Sequence, residues 1–176
     1  MNIALIGYRG TGKTAVARQL ARSLGWDWID ADVEVELAAG KSIAAIFADD
    51  GEPAFRDLEA AMLADLIQRD HSILALGGGV LLRPANRTLV RQAGRVVWLT
   101  ATPETIAARL ATDATTASRR PNLTAAGGLD EIRRLLDERS PLYRQCCDLE
   151  IDTEAKAPAD VAAEILEELS STEAPA

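Results

Sequence analysis

The residues best suited to chemistry lie in one short run, Gly7-Tyr-Arg-Gly-Thr-Gly-Lys-Thr14, a G-x-x-x-x-G-K-T pattern. Each residue type has a physical reason to be there. Glycines accept dihedrals closed to other residues, so successive backbone N–H groups can turn toward phosphate oxygens. A helix opening at the end of the run adds a partial positive charge. The Lys13 ammonium can reach β- and γ-phosphates, and the Thr14 hydroxyl can ligate Mg²⁺. Gly10, Thr11, Gly12 and Ala15 complete the turn expected to surround the phosphates. The ligand this chemistry fits is a nucleoside triphosphate with Mg²⁺.

Other candidates are spaced along the chain. Asp30 and Asp32 close the apolar run Trp26–Ile29, and ligands gather at the carboxyl ends of strands in open α/β sheets. Arg56 and Glu59 stand i, i+3 in a helical stretch, and Gly77-Gly-Gly79 ends a second apolar run. Arg119-Arg-Pro-Asn-Leu123 sits in a long irregular segment, and Arg139 precedes Pro141 in a helical pattern. Taken singly, each has a plainer reading: a helix-capping pair, a solvated ion pair, a turn, a surface arginine.

The elements that must position these residues follow from periodicity. Strands are expected over 2–6, 26–29, 72–76, 95–99 and 149–151. Helices are expected over 13–24, 33–39, 43–48, 53–69, 84–93, from about 103 to 110, over 129–146 and over 161–169. Gly25, Gly40 and Gly51 punctuate them, and Pro141 predicts a kink or break. Trp26 and Trp28 share a strand face, which reads as packing. Alternating strands and helices predict a three-layer α/β/α fold around a five-stranded parallel sheet, built as one domain over residues 1–170. The stretch at about 112–126 is too long for an ordinary connection and reads as a lid carrying Arg120. Residues 171–176 read as a frayed polar tail.

Composition narrows the classes. With 176 residues the chain suits one core, and no apolar run approaches the ~20 residues of a membrane span. No basic leader precedes the first strand, so the cytoplasm is the expected location. The net charge of −8 argues against nucleic acid as a partner. Only Lys13, Lys41 and Lys156 are lysines, so nearly all positive charge is arginine, the residue that forks carboxylates and phosphates. Cys146 and Cys147 have neither zinc nor redox spacing and read as a reduced structural pair. His71, the lone histidine, is expected at the surface. No long heptad run asks for a partner, so a monomer is expected.

The phosphate loop alone does not say what receives the phosphoryl group. The chain has no N-K-x-D segment of the kind that reads guanine, and its most buried strand ends in glycines rather than a carboxylate. Small size and an arginine-bearing lid suggest a small-molecule kinase, which must keep water from the γ-phosphate. Here the chain resembles the shikimate kinases, a family within the nucleoside monophosphate kinase-like group. The resemblance runs from residue 3 to about 160. It rests on the phosphate loop, Asp30-x-Asp32, Ser42-Ile-x-x-Ile-Phe47 with Gly51-Glu52, Phe55-Arg56-x-x-Glu59, Gly77–79, Arg120-Pro121 and Arg139-x-Pro-Leu-Tyr143.

That resemblance implies a set of roles. Arg56 and Arg139 would grip the carboxylate of shikimate, with the glycines at 77–79, chiefly Gly78, offering backbone N–H. Asp32 would bind the reacting hydroxyl and accept its proton. Asp30 would hold Mg²⁺ through water beside Thr14, while Lys13 and Arg120 neutralise the transferring group. Glu59 would orient Arg56, and Phe47 and Phe55 would line the pocket. Arg109 would stack on the adenine of ATP, with Lys156 beside the base. Other readings stay open: a kinase of gluconate or a nucleoside monophosphate, or a nucleotide-binding module without turnover.

Overall fold

The computed structural model describes residues 1–112 and 128–173. The elements in chain order are β1 Asn2–Ile6, α1 Lys13–Leu24, β2 Asp27–Asp30, α2 Ala31–Ala39, α3 Ile43–Asp49 and α4 Gly51–Leu66. Next come β3 Ser72–Ala75, a 3₁₀ turn Val80–Leu82, α5 Pro84–Gln92, β4 Gly94–Thr100 and α6 Pro103–Thr112. The described chain ends with α7 Gly128–Cys146, β5 Leu149–Asp152 and α8 Pro158–Glu173. All five strands are parallel, in the order β2-β3-β1-β4-β5.

Period-two alternation in fully buried strands divides the interior. Ile3 and Leu5, Ile73 and Ala75, Val97 and Leu99 face one side, packing with Val16, Leu20, Val161 and Ile165 of α1 and α8. Ala4 and Ile6, Leu74, Val96 and Trp98 face the other, with Leu63 and Leu66 of α4, Val90 of α5 and Tyr143 of α7. The helices after β1 and β3 thus lie on opposite faces of the sheet. Between two such neighbouring strands their carboxyl ends leave a crevice, the ordinary ligand position of a doubly wound sheet. A smaller cluster of Val35, Ile43, Ile46 and Phe55 ties α2, α3 and α4 into a cap at the β2 edge.

Several expectations need adjustment. Trp26 precedes β2 rather than opening it, and its ring meets His71 edge-on at 5.1 Å. Trp28 is not packing: it is 37% exposed and carries the Arg18 guanidinium 4.7 Å from its ring centroid. Pro141 does not break α7, which runs unbroken through it. The Ser140 hydroxyl donates to the Leu136 carbonyl at 2.6 Å beside the proline. Helix α8 extends to Glu173, three residues into the expected tail, leaving 174–176 outside the described residues. Both cysteines are free thiols, and burial raises the pKa of each, which disfavours the reactive thiolate. Among the described residues no helix is long and apolar enough to cross a membrane.

Candidate active site

A cleft of about 590 Å³ lies at the carboxyl ends of the strands. From the loop after β1 and the start of α1 come Arg9, Gly10, Gly12, Lys13, Thr14 and Ala15. Asp30 and Asp32 face it from the β2–α2 junction, Gly77 and Gly78 from the end of β3, and Arg109 from α6.

The loop's shape depends on its glycines. Gly7 has φ +136°, and a Cβ there would stand 2.5 Å from the Leu99 carbonyl oxygen. Any side chain would push the loop off β4. Lys13 Nζ donates to the carbonyls of Gly7 at 2.9 Å and Tyr8 at 2.8 Å, so the ammonium lies across the loop's mouth. Thr11, like Gly7 and Tyr8, does not line the cleft. Its hydroxyl turns inward and donates to Tyr8 O at 2.8 Å, bracing the turn.

Asp30 has two tasks at once. Its Oδ2 accepts the Thr14 hydroxyl at 2.8 Å, and its Oδ1 accepts the Asp32 backbone N–H at 3.1 Å, capping α2. The capping reading and the ligand reading therefore converge on one carboxylate. Thr14 and Asp30 form a hard-oxygen pair beside the phosphate loop. Mg²⁺ takes one or two carboxylates with phosphates and waters, so this donor set fits it. Among the described residues no group of three or more His, Cys, Asp or Glu could hold a metal without such help.

A second group gathers around the triple glycine next to the cleft. Arg56, 8% exposed, donates through Nη1 to Glu59 at 2.8 Å and through Nη2 to Glu52 at 3.0 Å. Burial works against its charge, but Glu59 and Glu52 outweigh burial and raise its pKa further. The solvated-pair reading of Arg56 and Glu59 fails because Glu59 is only 5% exposed. The Arg56 guanidinium packs flat against Gly79, where a Cβ would come within 2.8 Å of Cζ. Arg139 donates Nη1 to the Gly78 carbonyl at 3.3 Å, and the Tyr143 hydroxyl donates to the same oxygen. The Phe47 and Phe55 rings meet at a tilt of 36° with centroids 4.9 Å apart, and Arg56 Cζ lies 5.1 Å from the Phe55 ring centroid. None of Arg56, Glu59, Gly79, Arg139, Phe47 or Phe55 lines the cleft itself; they form a wall beside it, buried except for the half-buried Phe47.

Two nucleotide-side expectations fare differently. Arg109 lies at the cleft, where Nη1 bonds Thr153 Oγ1 at 2.9 Å and Nη2 bonds the Thr153 carbonyl at 2.8 Å. Lys156 does not reach it. Its ammonium meets Glu164 of α8 at 2.6 Å, and it is not among the residues that line the cleft. Apart from Thr112, which ends α6, the expected lid, Arg119 and Arg120 included, falls outside the described residues.

Sequence reasoning passed over four residues that build the site. Glu52 and Tyr143 were legible only as motif members, yet one shares Arg56 and the other fixes Gly78. Arg18 and Trp28 form one rim of the cleft, signalled by nothing in the sequence beyond an aromatic two residues before Asp30.

A phosphate loop on the central strand, a carboxylate pair at its side and an arginine cluster on the neighbouring strand's glycines define a P-loop kinase of the α/β/α class. The family model for shikimate kinase matches residues 9–170, and the chain belongs to that family. It is 44% identical over 171 residues to the shikimate kinase of Rhodopirellula baltica, covering 97% of this chain and 91% of that one. Its structure superposes with a TM-score of 0.93 on shikimate kinase from Acinetobacter baumannii in complex with shikimate, at 37% identity, covering 99% of this chain and 95% of that one. The fold extends further: a gluconokinase from Sinorhizobium meliloti shares it at a TM-score of 0.57 and 16% identity, covering 98% of this chain and 97% of that one. The chain is an ATP-dependent kinase.

Proposed function

We propose that the chain transfers the γ-phosphoryl group of ATP to a hydroxyl of shikimate, giving shikimate 3-phosphate. The carrying observation is the pair of buried arginines on the triple glycine, Arg56 and Arg139, set beside a cleft that holds Lys13, Thr14, Asp30 and Asp32. A small carboxylate with hydroxyls matches both halves, since a planar guanidinium forks a carboxylate where an ammonium meets it as a point.

On this proposal each residue takes a role. Gly10, Thr11, Gly12 and Ala15 surround the phosphates by main chain, and Lys13 swings from the loop carbonyls to the transferring group. Thr14 and Asp30 would hold Mg²⁺, which supplies charge neutralisation on the β- and γ-phosphates when bound. The acceptor carboxylate lies against Arg56, Arg139 and the backbone of Gly77–79, with Phe47 and Phe55 supporting that wall. Glu59 keeps Arg56 oriented. Asp32 receives the hydroxyl proton as the oxygen attacks in line; the new O–P bond forms, the bond to the β-phosphate oxygen breaks, and ADP leaves. Arg109 is assigned to stack on adenine, and Arg120 to neutralise the γ-phosphoryl group. The working unit is taken as a cytoplasmic monomer. Its net charge of −8 does not suit nucleic acid, and small anionic substrates would have to be met by local basic groups.

The test is ADP release coupled to a dehydrogenase, with shikimate, gluconate and nucleoside monophosphates as acceptors. Release driven by shikimate is the expected result. Release driven by gluconate or a monophosphate alone would replace the acceptor with that compound. A narrower expectation concerns Arg139→Lys, which keeps the charge and loses the fork. The KM for shikimate should rise as about 1.5–3 kcal/mol of binding is lost, the range for hydrogen bonds to charged groups. An unchanged KM would remove Arg139 from the carboxylate site.

A further inference from the structure

On the side opposite β2, α6 supplies the cleft wall through Arg109 and Leu110. Arg109 is held there by three acceptors from two loops. Nη1 donates to Thr153 Oγ1 at 2.9 Å and to the Gly10 carbonyl of the phosphate loop at 3.4 Å, and Nη2 donates to the Thr153 carbonyl at 2.8 Å. Thr153, 3% exposed, is the common node. Its hydroxyl accepts from Arg109 and donates to the Thr100 carbonyl at 2.8 Å, and its backbone N–H donates to the same carbonyl at 2.9 Å. A hydroxyl can do both because it is donor and acceptor at one atom. The turn that follows is fixed from both sides. The Glu154 N–H donates to Asp152 Oδ1 at 2.9 Å, and the Glu154 carboxylate accepts the Thr102 N–H at 3.1 Å and the Thr105 hydroxyl at the start of α6. Ala155 in that turn has φ +53°, a conformation an alanine keeps only where its surroundings impose it. Helix α6 also lies hard on the phosphate loop: a Cβ on Gly10 would stand 3.2 Å from Leu110 Cγ and 3.3 Å from Ile106 Cγ2.

From this geometry we infer that Thr153 is a positioning residue for the nucleotide base, acting through Arg109. Hydrogen bonds to a guanidinium lie in its plane, so the two bonds to Thr153 fix the tilt of that plane and leave its faces for stacking on a purine. A long side chain loses rotamer freedom when it stacks, and the Thr153 clamp takes that loss at folding, before any nucleotide arrives. Thr153 does not line the cleft, so its effect passes through the arginine. Because Arg109 also reaches the Gly10 carbonyl, the same clamp ties the base end of the site to the phosphate loop. The inference rests on the assignment of Arg109 to adenine and goes beyond it in naming the group that orients the arginine.

The experiment measures nucleotide affinity by titration calorimetry, which needs no acceptor, so an error in the acceptor leaves it unaffected. Wild type, Thr153→Val, Thr153→Ser and Arg109→Leu are titrated with ADP. Inorganic tripolyphosphate, which has the phosphates without a base, is read by its competition with ADP. Thr153→Val keeps the shape and removes the hydroxyl, and should raise the Kd for ADP about 3- to 10-fold, the reach of one hydrogen bond. Its Kd for tripolyphosphate should stay at the wild-type value. Thr153→Ser keeps the hydroxyl and should bind ADP as wild type does. Thr153→Ala, which leaves the site smaller, is the second variant without a hydroxyl and should follow Thr153→Val; a thermal melt checks that each is folded. A merely structural role, loosening the phosphate loop, would weaken tripolyphosphate and ADP alike. That result, an unchanged Kd for ADP in Thr153→Val, or a serine variant as weak as the valine one would each overturn the inference. Arg109→Leu separates the two readings. Unchanged ADP binding there removes Arg109 from adenine and the inference with it, whereas weakened binding there with none in Thr153→Val overturns the role of Thr153 alone.

Discussion

Asp32→Asn is expected to lower kcat about 10²- to 10⁴-fold, the contribution of a positioned general base. The substitution preserves shape and the ability to bond a hydroxyl, and removes the basic oxygen. Asp32 is half-buried, lines the cleft, and has its backbone N–H tied to Asp30 Oδ1 at 3.1 Å, so the main chain that carries it is fixed by the cap of α2. The variant should therefore keep the wild-type melting temperature and bind ATP normally. ADP release at saturating ATP and shikimate gives kcat, and a thermal melt gives the fold control. Near-wild-type kcat would show that the proton leaves by another route.

Glu59→Ala is expected to be the most destabilising single change at the acceptor wall. It deprives a buried guanidinium of its buried partner, leaving only Glu52, whose side chain is 56% exposed. Breaking a buried pair from one side costs about 3–5 kcal/mol, here toward the lower figure because Glu52 remains. For a chain of this size that is a fall in Tm of roughly 6–12 °C. Arg56 would also lose its orientation against Gly79, so the KM for shikimate should rise with little change in the KM for ATP. Glu52→Ala is the comparison, and as an exposed partner it should cost no more than about 1 kcal/mol. Equal melting temperatures for the two variants would mean that burial of Glu59 contributes nothing.

The contrast between those two glutamates shows where sequence stops. Both lie within reach of Arg56 on one helix, four residues before and three after, and helical spacing treats them alike. Only the packing of α4 against the triple glycine places one inside and the other in water. Trp28 was misread for the same reason. Its strand face was legible, but β2 is the edge strand, and an edge leaves that face open to the cleft rim. The helix that carries Glu164, the partner of Lys156, starts at Pro158, three residues before the apolar pattern shows it.

The sequence by itself determined the donor half. Gly7–Thr14 is local: its turn, its helix start and its reactive side chains lie within eight consecutive residues, so the backbone alone dictates the geometry. It also determined the parallel sheet, because apolar runs buried on both faces alternate with helical periods. What only the tertiary structure decided is how the residues assigned to the acceptor meet. Arg56, Gly78 and Arg139 come from α4, the β3 turn and α7, brought together by strand order β2-β3-β1-β4-β5. Side chains that meet only after the sheet has formed carry no spacing to read, and whether a charge is buried there is a property of the fold and not of the residue.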